Sequence, residues 1–374
     1  MENLKIGFLL HFYQPWWQRQ FPAVLRKISD QSYRPILRLL NDIDGFCFTA
    51  NINLSLLELL ENDFSDVRSG FKDAVDGGKI ELTGSPAQHP ILPLIPEFLQ
   101  RAQIEDDGKR KESQFGIKRN CRGFYLPEMA FRRSDVGLLK ELGYKWTVID
   151  DEPFVAVYGS ASVPFNHMIV WNGFKTYMRS GLWSNKISSG KYSFYDIKAQ
   201  MEHELGQWVR NEPAYLIIAM DGETFGHHHG HLIDQFLRPM LEEWAGNKIV
   251  PIETLEQSFP WRSVQYLPDG SWSTSAEDIR KNDPYPLWNS RFNRYHYMLW
   301  KLVNSGLNYF EQCEDDCFKM TSSCHWWWIS GRPYWEPEFM KFGAKKAIEI
   351  VRQYGSLEEV NTAEKLYKDL KELH

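Results

Sequence analysis

The stretch LIIAMDGETFGHHHGH, residues 216–231, opens as an unbroken apolar run and closes in ionisable groups. A short apolar run with no polar alternation reads as a strand buried on both faces, the mark of a parallel sheet. Asp221, Glu223, His227, His228, His229 and His231 follow at once. So many ionisable groups cannot be buried with the run, so the strand ends there, and chemistry is expected at that end.

Working outward, the same pattern recurs. Strands are expected at KIGFLL (5–10), FCFTAN (46–51), KIEL (79–82), CRGFYL (121–126), KWTVID (145–150), MIVW (168–171), YLIIAM (215–220) and KIVPI (248–252). Helical patterns lie between many of them, among them PILRLLNDI, LSLLELLEN, SDVGLLKELG and DIKAQMEHELGQWV. In the third, Ser134 is placed to cap the start and Gly143 to end the helix in a left-handed turn. Strand and helix alternating in this way predict a parallel sheet rolled into a barrel. From about residue 276 the signal turns helical. We therefore read a barrel over 1–262, then a Gly/Ser/Pro-rich connector and a helical C-terminal layer over 263–374.

The totals narrow the function. The chain has 374 residues, 43 Lys+Arg against 49 Asp+Glu, and a formal charge of -6. A mildly acidic chain is a poor partner for nucleic acid or anionic membrane. Five cysteines make no even framework, so reduced thiols and a cytoplasmic location are expected. The N-terminal apolar run is too short for a signal core or a membrane span. Aromatic residues reach 15%, with 15 Trp. Core filling accounts for most of them, but Trp16, Trp17 and Trp326–Trp328 sit beside polar motifs, where flat rings could stack on sugars.

At the mouth of a parallel barrel, side chains from several strand ends converge. His11 and Gln14 follow the first strand, Glu81 lies at the third with His89 beyond it, and Glu128 follows the fourth. Asp221 and Glu223 end the run quoted above. Taken in order, HFYQP (11–15), GKIELTGSPAQHPILP (78–93), GFYLPEMAF (123–131) and AMDGETFGHH (219–228) resemble the motifs of glycoside hydrolase family 57, with a weaker fifth match at MTSSCHWWW (320–328).

That resemblance implies an incomplete (β/α)7 barrel and an enzyme of the α-amylase, 4-α-glucanotransferase or branching type. It would act on α-1,4 or α-1,6 bonds of an α-glucan or maltooligosaccharide, with retention, and need no metal or cofactor. It makes Glu128 the nucleophile and Asp221 the acid/base. His11, Gln14, Glu81, His89, Glu223, His227, Trp16 and Trp326 become substrate-binding candidates, although Glu81 could equally be paired inside the barrel with a residue such as Arg179. A glycosidic bond breaks readily only if its oxygen is protonated as it leaves and a carboxylate meets the charge growing at C1. Burial and an ionised Glu128 are both expected to raise the pKa of Asp221.

Three departures from the family pattern bear on subclass. Tyr13 stands where a second histidine is usual, and Cys324 and His325 stand where an aspartate is usual. The β-rich C-terminal domain of the larger transferases has no counterpart, which favours amylase-type hydrolysis. Two alternatives remain. Asp150–Asp151 with the His227/His231 pair would suit a zinc-dependent polysaccharide deacetylase, although Gly226 and Gly230 disfavour a helix there. A glucan-binding homologue without catalysis is the other.

Overall fold

The computed structural model describes residues 3–118, 121–160, 165–246 and 248–373. Its strands are β1 (Leu4–Phe12), β2 (Phe48–Ile52), β3 (Ile80–Leu82), β4 (Gly123–Phe124), β5 (Trp146–Asp150), β6 (Met168–Trp171), β7 (Phe174–Arg179), β8 (Ala214–Asp221), β9 (Ile249–Val250) and β10 (Trp261–Ser263). Seven of them run parallel in the spatial order β4-β5-β7-β8-β1-β2-β3. Two joins are thin: β7 meets β8 at the pair Arg179–Ile217, and β3 reaches β4 through a bridge between Gly84 and Phe124. This is the incomplete (β/α)7 barrel expected, with a helical C-terminal region.

Strand parity explains how the sheet presents its groups. On β1, Leu4, Ile6, Phe8, Leu10 and Phe12 join the outer core under the helices, whereas Leu9 joins a separate inner core with Ile217 and Ala219 of β8. A period of two puts His11 and Asp221 on that same inward side, one step beyond the apolar layer. The two are register partners at the C-terminal ends of β1 and β8. Full burial of a side chain such as Phe8 contributes roughly 1.5–3 kcal/mol, so a one-residue slip that turned this set around would be strongly disfavoured.

Two expectations change. MIVW is a strand, but β6 does not follow the parallel alternation: it pairs antiparallel with β7, and β10 pairs with its far side. Asn172 and Gly173, with φ of 47° and 73°, form the two-residue turn of this hairpin, the conformation for which Asn-Gly is favoured. The helix Val136–Glu141 is not capped by Ser134, which sits inside a preceding 3-10 turn, Arg133–Asp135; Gly143 does take positive φ just after the helix.

The helices Arg294–Leu307, Pro337–Tyr354 and Leu357–Lys371 pack on one another, and a single apolar core runs from Leu4 to Leu370. Among the described residues no helix is long and apolar enough to cross a membrane.

Candidate active site

Glu128, Asp221 and Glu223 line one cleft of about 1040 Å³ at the barrel mouth. The turn Pro127–Met129 that carries Glu128 is strained, with φ of 57° at Glu128 and 49° at Met129. Left-handed backbone costs a residue with a Cβ roughly 1–2 kcal/mol, so it persists only where its surroundings fix it. Here the fixing comes from the connector. Trp272 donates its backbone N–H to the Glu128 carbonyl at 3.2 Å and its indole Nε1–H to Glu128 Oε2 at 2.8 Å. Phe131 and Gly270 exchange backbone bonds beside it, at 2.7 and 3.1 Å. The sequence DGSWSTS reads as a linker, which is why Trp272 was not foreseen.

Asp221 ends β8 opposite Arg179, which was foreseen only as a partner for Glu81. The guanidinium instead donates from Nη1 to Asp150 Oδ2 (2.7 Å), from Nε to the Ala219 carbonyl (2.9 Å) and from Nη2 to Asn185 Oδ1 (2.7 Å). Of the two cleft carboxyls, its charge acts on Asp221. Burial raises Asp221 to about 6, and Arg179 opposes that rise. Burial raises Glu128 to about 8, the Asp221 charge adds to the rise, and the Trp272 bond opposes it. The expected increase at Asp221 is present, and Glu128 rises as well, because both carboxyls are buried and only Asp221 has the cation acting on it.

The remaining candidates divide. Glu223 accepts from Gln14 Nε2 at 3.1 Å and from the Tyr33 hydroxyl, and burial with the Asp221 charge raises it to about 8. Gln14, Glu223 and His227 all line the cleft. His11 lines it as well, but both its ring nitrogens are taken. Asn51 donates its amide to Thr83 at 3.4 Å, leaving Oδ1 to accept from His11 Nδ1 at 2.9 Å. His11 Nε2 then accepts from His89 Nε2 at 3.0 Å, and His89 Nδ1 accepts from Ser323 Oγ at 2.8 Å. Burial lowers both imidazoles, His11 to about 3, so they stay neutral. His89 is therefore a support beneath His11 rather than part of the cleft lining.

Three expected substrate contacts lie elsewhere. Glu81 accepts from Thr49 Oγ1 at 2.5 Å and from the backbone N–H groups of Ile252 and Glu253 at 2.9 and 3.1 Å, which ties the 3-10 turn Ile252–Gln257 to the sheet. Trp326 is fully buried with its ring 3.9 Å from that of Trp300. Trp16 donates to the Lys319 carbonyl at 2.9 Å and faces a separate pocket with Arg19 and Glu58. Aromatic character in the cleft comes instead from Trp17, Trp272, Trp327, Trp328 and Tyr334. The two sequence departures meet here: the Tyr13 hydroxyl bonds Ser322 Oγ at 2.7 Å and Cys324 Sγ at 3.4 Å.

The residues of the zinc alternative are otherwise engaged. Asp150 is salt-bridged to Arg179, His227 Nδ1 meets Gln31 Oε1 at 3.1 Å, and His231 Nε2 meets the Gly190 carbonyl at 2.9 Å. The segment is a run of turns rather than a helix; Gly226 has φ of 102°, and a Cβ there would lie 1.8 Å from the Gln31 carbonyl oxygen. Among the described residues no three His, Cys, Asp or Glu side chains converge into a group able to hold a metal.

The model of glycosyl hydrolase family 57 matches residues 8–268. A 4-α-glucanotransferase from Thermococcus litoralis is 26% identical over 158 residues, which are 42% of this chain and 23% of that protein. An α-amylase from Pyrococcus abyssi is 26% identical over 156 residues, again 42% and 23%. The match thus spans about a quarter of each curated relative. The crystal structure of the T. litoralis 4-α-glucanotransferase superposes with a TM-score of 0.74 at 18% identity, covering 94% of this chain and 60% of that one. A family 57 branching enzyme from Pyrococcus horikoshii gives 0.70 at 16% identity, covering 100% and 96%. The family model takes in most of the chain, with Glu128 and Asp221 inside the matched residues, and the protein is accordingly a member of glycosyl hydrolase family 57.

Proposed function

We propose that this chain cleaves α-glucosidic bonds of α-glucans with retention, by double displacement, passing the glucosyl unit to water or to a second sugar. The observation that carries this is the placement of Glu128 and Asp221 in one cleft, close enough for one charge to raise the pKa of the other. Glu128 would attack C1 while Asp221 protonates the departing oxygen; Asp221 would then deprotonate the incoming acceptor. The lining suits a neutral polyhydroxy substrate. It has aromatic faces for the C–H side of sugar rings and, among its described residues, no Lys or Arg to hold a phosphate or carboxylate.

In the empty cleft burial raises Glu128 as well as Asp221, which by itself would keep a proton on the nucleophile. Substrate opposes it. A partly positive C1 over Glu128 stabilises the carboxylate, and a glycosidic oxygen beside Asp221 accepts from the acid form. Bound sugar thereby moves the proton of the pair onto Asp221.

Incubation with maltoheptaose tests the proposal. Shorter products alone mean hydrolysis, and shorter with longer products mean transfer. An unchanged substrate would overturn it in favour of a binding protein. The same reaction after dialysis against a chelator separates the zinc alternative, and an undiminished rate is expected.

The pH profile follows from the pair. Below about 6 both carboxyls are protonated and no nucleophile is ionised; above about 8 both are ionised and no acid remains. A bell of kcat/KM between those limits is expected. Trp272→Phe removes the donor that stabilises ionised Glu128. The last proton of the pair is then held more tightly, so the alkaline limb moves to higher pH. With a charge-assisted bond contributing about 1.5–3 kcal/mol, kcat falls about tenfold or more. An unmoved limb would show that the indole does not position Glu128.

A further inference from the structure

A second cavity, of about 390 Å³, lies against the catalytic cleft and is lined by Asp278, Asp283, Asn293, Tyr295, Arg332 and Trp335 among others. Two chain segments serve both spaces. Pro286 faces this cavity and Leu287 the cleft, while in the loop after Gly331 the residues Arg332 and Trp335 face the cavity and Pro333 and Tyr334 the cleft. The two spaces are therefore neighbours across one wall, and the aromatic side chains Tyr334 (53% exposed) and Trp335 (38% exposed) stand along its crest.

The cavity has the two components that sugar recognition needs. Trp335 and Tyr295 form a pair of ring surfaces, centroids 5.4 Å apart and planes inclined by 57°. Polar groups of fixed direction stand around them. Arg332 is held to Asp278 by two bonds, at 2.9 and 3.2 Å, and Asp283 accepts from Ser290 Oγ at 2.6 Å. Arginine and carboxylate side chains pinned in this way offer donors and acceptors at a spacing that suits neighbouring hydroxyls, and the rings take the apolar face. Charge of both signs lines the cavity, Asp278 and Asp283 with Lys281, Arg294 and Arg332. Lys281 is paired with Glu277 and Arg332 with Asp278, which leaves Asp283 to balance Arg294 and suits a neutral ligand.

We propose that this cavity is a second carbohydrate site, which holds the distal part of an α-glucan chain whose other end lies in the catalytic cleft. It rests on the glucan-active reading above and adds to it a means of favouring long substrates, since a chain anchored at two places is retained by the effective concentration of its second contact.

The test is the ratio of kcat/KM for short-chain amylose to that for maltotriose. Trp335→Ala is expected to lower this ratio about fivefold, chiefly through KM for the long substrate. Should that variant be poorly folded, Tyr295→Ala gives the same readout from the ring that Trp335 packs on. A ratio unchanged in a variant that still turns over maltotriose would overturn the second site and leave the catalytic proposal standing. No turnover of either substrate by the unmodified protein would overturn both. Titration of amylose into the Glu128→Gln protein provides a measure independent of catalysis: weaker binding after adding Trp335→Ala supports the site, and equal binding rejects it.

Discussion

Glu128→Gln lowers kcat on maltooligosaccharides by a factor on the order of 10⁴, with a much smaller change in KM. The amide keeps the shape of the side chain and can still accept from Trp272, but it cannot form the glycosyl ester at C1. The loss cannot be attributed to unfolding, because the substitution stabilises the protein at alkaline pH. In the folded state Glu128 keeps its proton up to about 8, whereas its ordinary value is 4.5. Ionising it in the folded protein is therefore unfavourable, and that penalty is fully felt above about 8 and absent below about 4.5. The advantage in thermal midpoint of the Gln variant over the unmodified protein grows from pH 5 to pH 9. A second check uses Glu128→Ala with azide. Azide in the vacated space attacks C1 from the same side as the lost carboxylate, and the glycosyl azide formed has inverted configuration. A product of retained configuration would mean that Glu128 is the acid/base and would establish the exchanged roles.

Asp221→Asn is expected to cost about 10³ in kcat on oligosaccharides, whose leaving oxygen needs a proton. On an α-glycosyl fluoride, which departs without one, the first step falls by about tenfold or less. That contrast between leaving groups is what a merely structural role would not produce. If the fluoride instead rescues Glu128→Gln and not Asp221→Asn, the two assignments must be interchanged. The experiment bears directly on Arg179, whose charge opposes the burial-driven rise at Asp221. Arg179→Met would remove that opposition and raise Asp221 further.

The barrel was legible because its strands carry unbroken or alternating apolar runs, and the run ending in Asp221 is the clearest of them. The hairpin of β6 and β7 is signalled only by Asn172-Gly173, because FKTYMR neither alternates cleanly nor forms an unbroken apolar run and ends in an Arg. Glu128 and Asp221 were found by order of motifs, and the fold puts them in one cleft. Glu81 and Trp326 are substrate candidates by the same order of motifs and Trp16 by its place beside one, but a position in sequence does not say which end of the barrel a side chain serves, or whether a ring packs inward. Trp272 and Arg179 could not be placed at all by local pattern. One comes from a loop whose composition suggests only a linker, and the other from a strand whose register with β8 depends on the closed sheet.

Tyr13 and Cys324 are far apart in sequence, yet the phenol touches the thiol. The two positions form one contact between the end of the first strand and the C-terminal helical region. Swapping either half alone for the family's histidine or aspartate would set an ionisable group against a partner shaped for a weak donor. Engineers who wish to graft a relative's specificity onto this scaffold must therefore move both together, since the effects of contacting residues do not add.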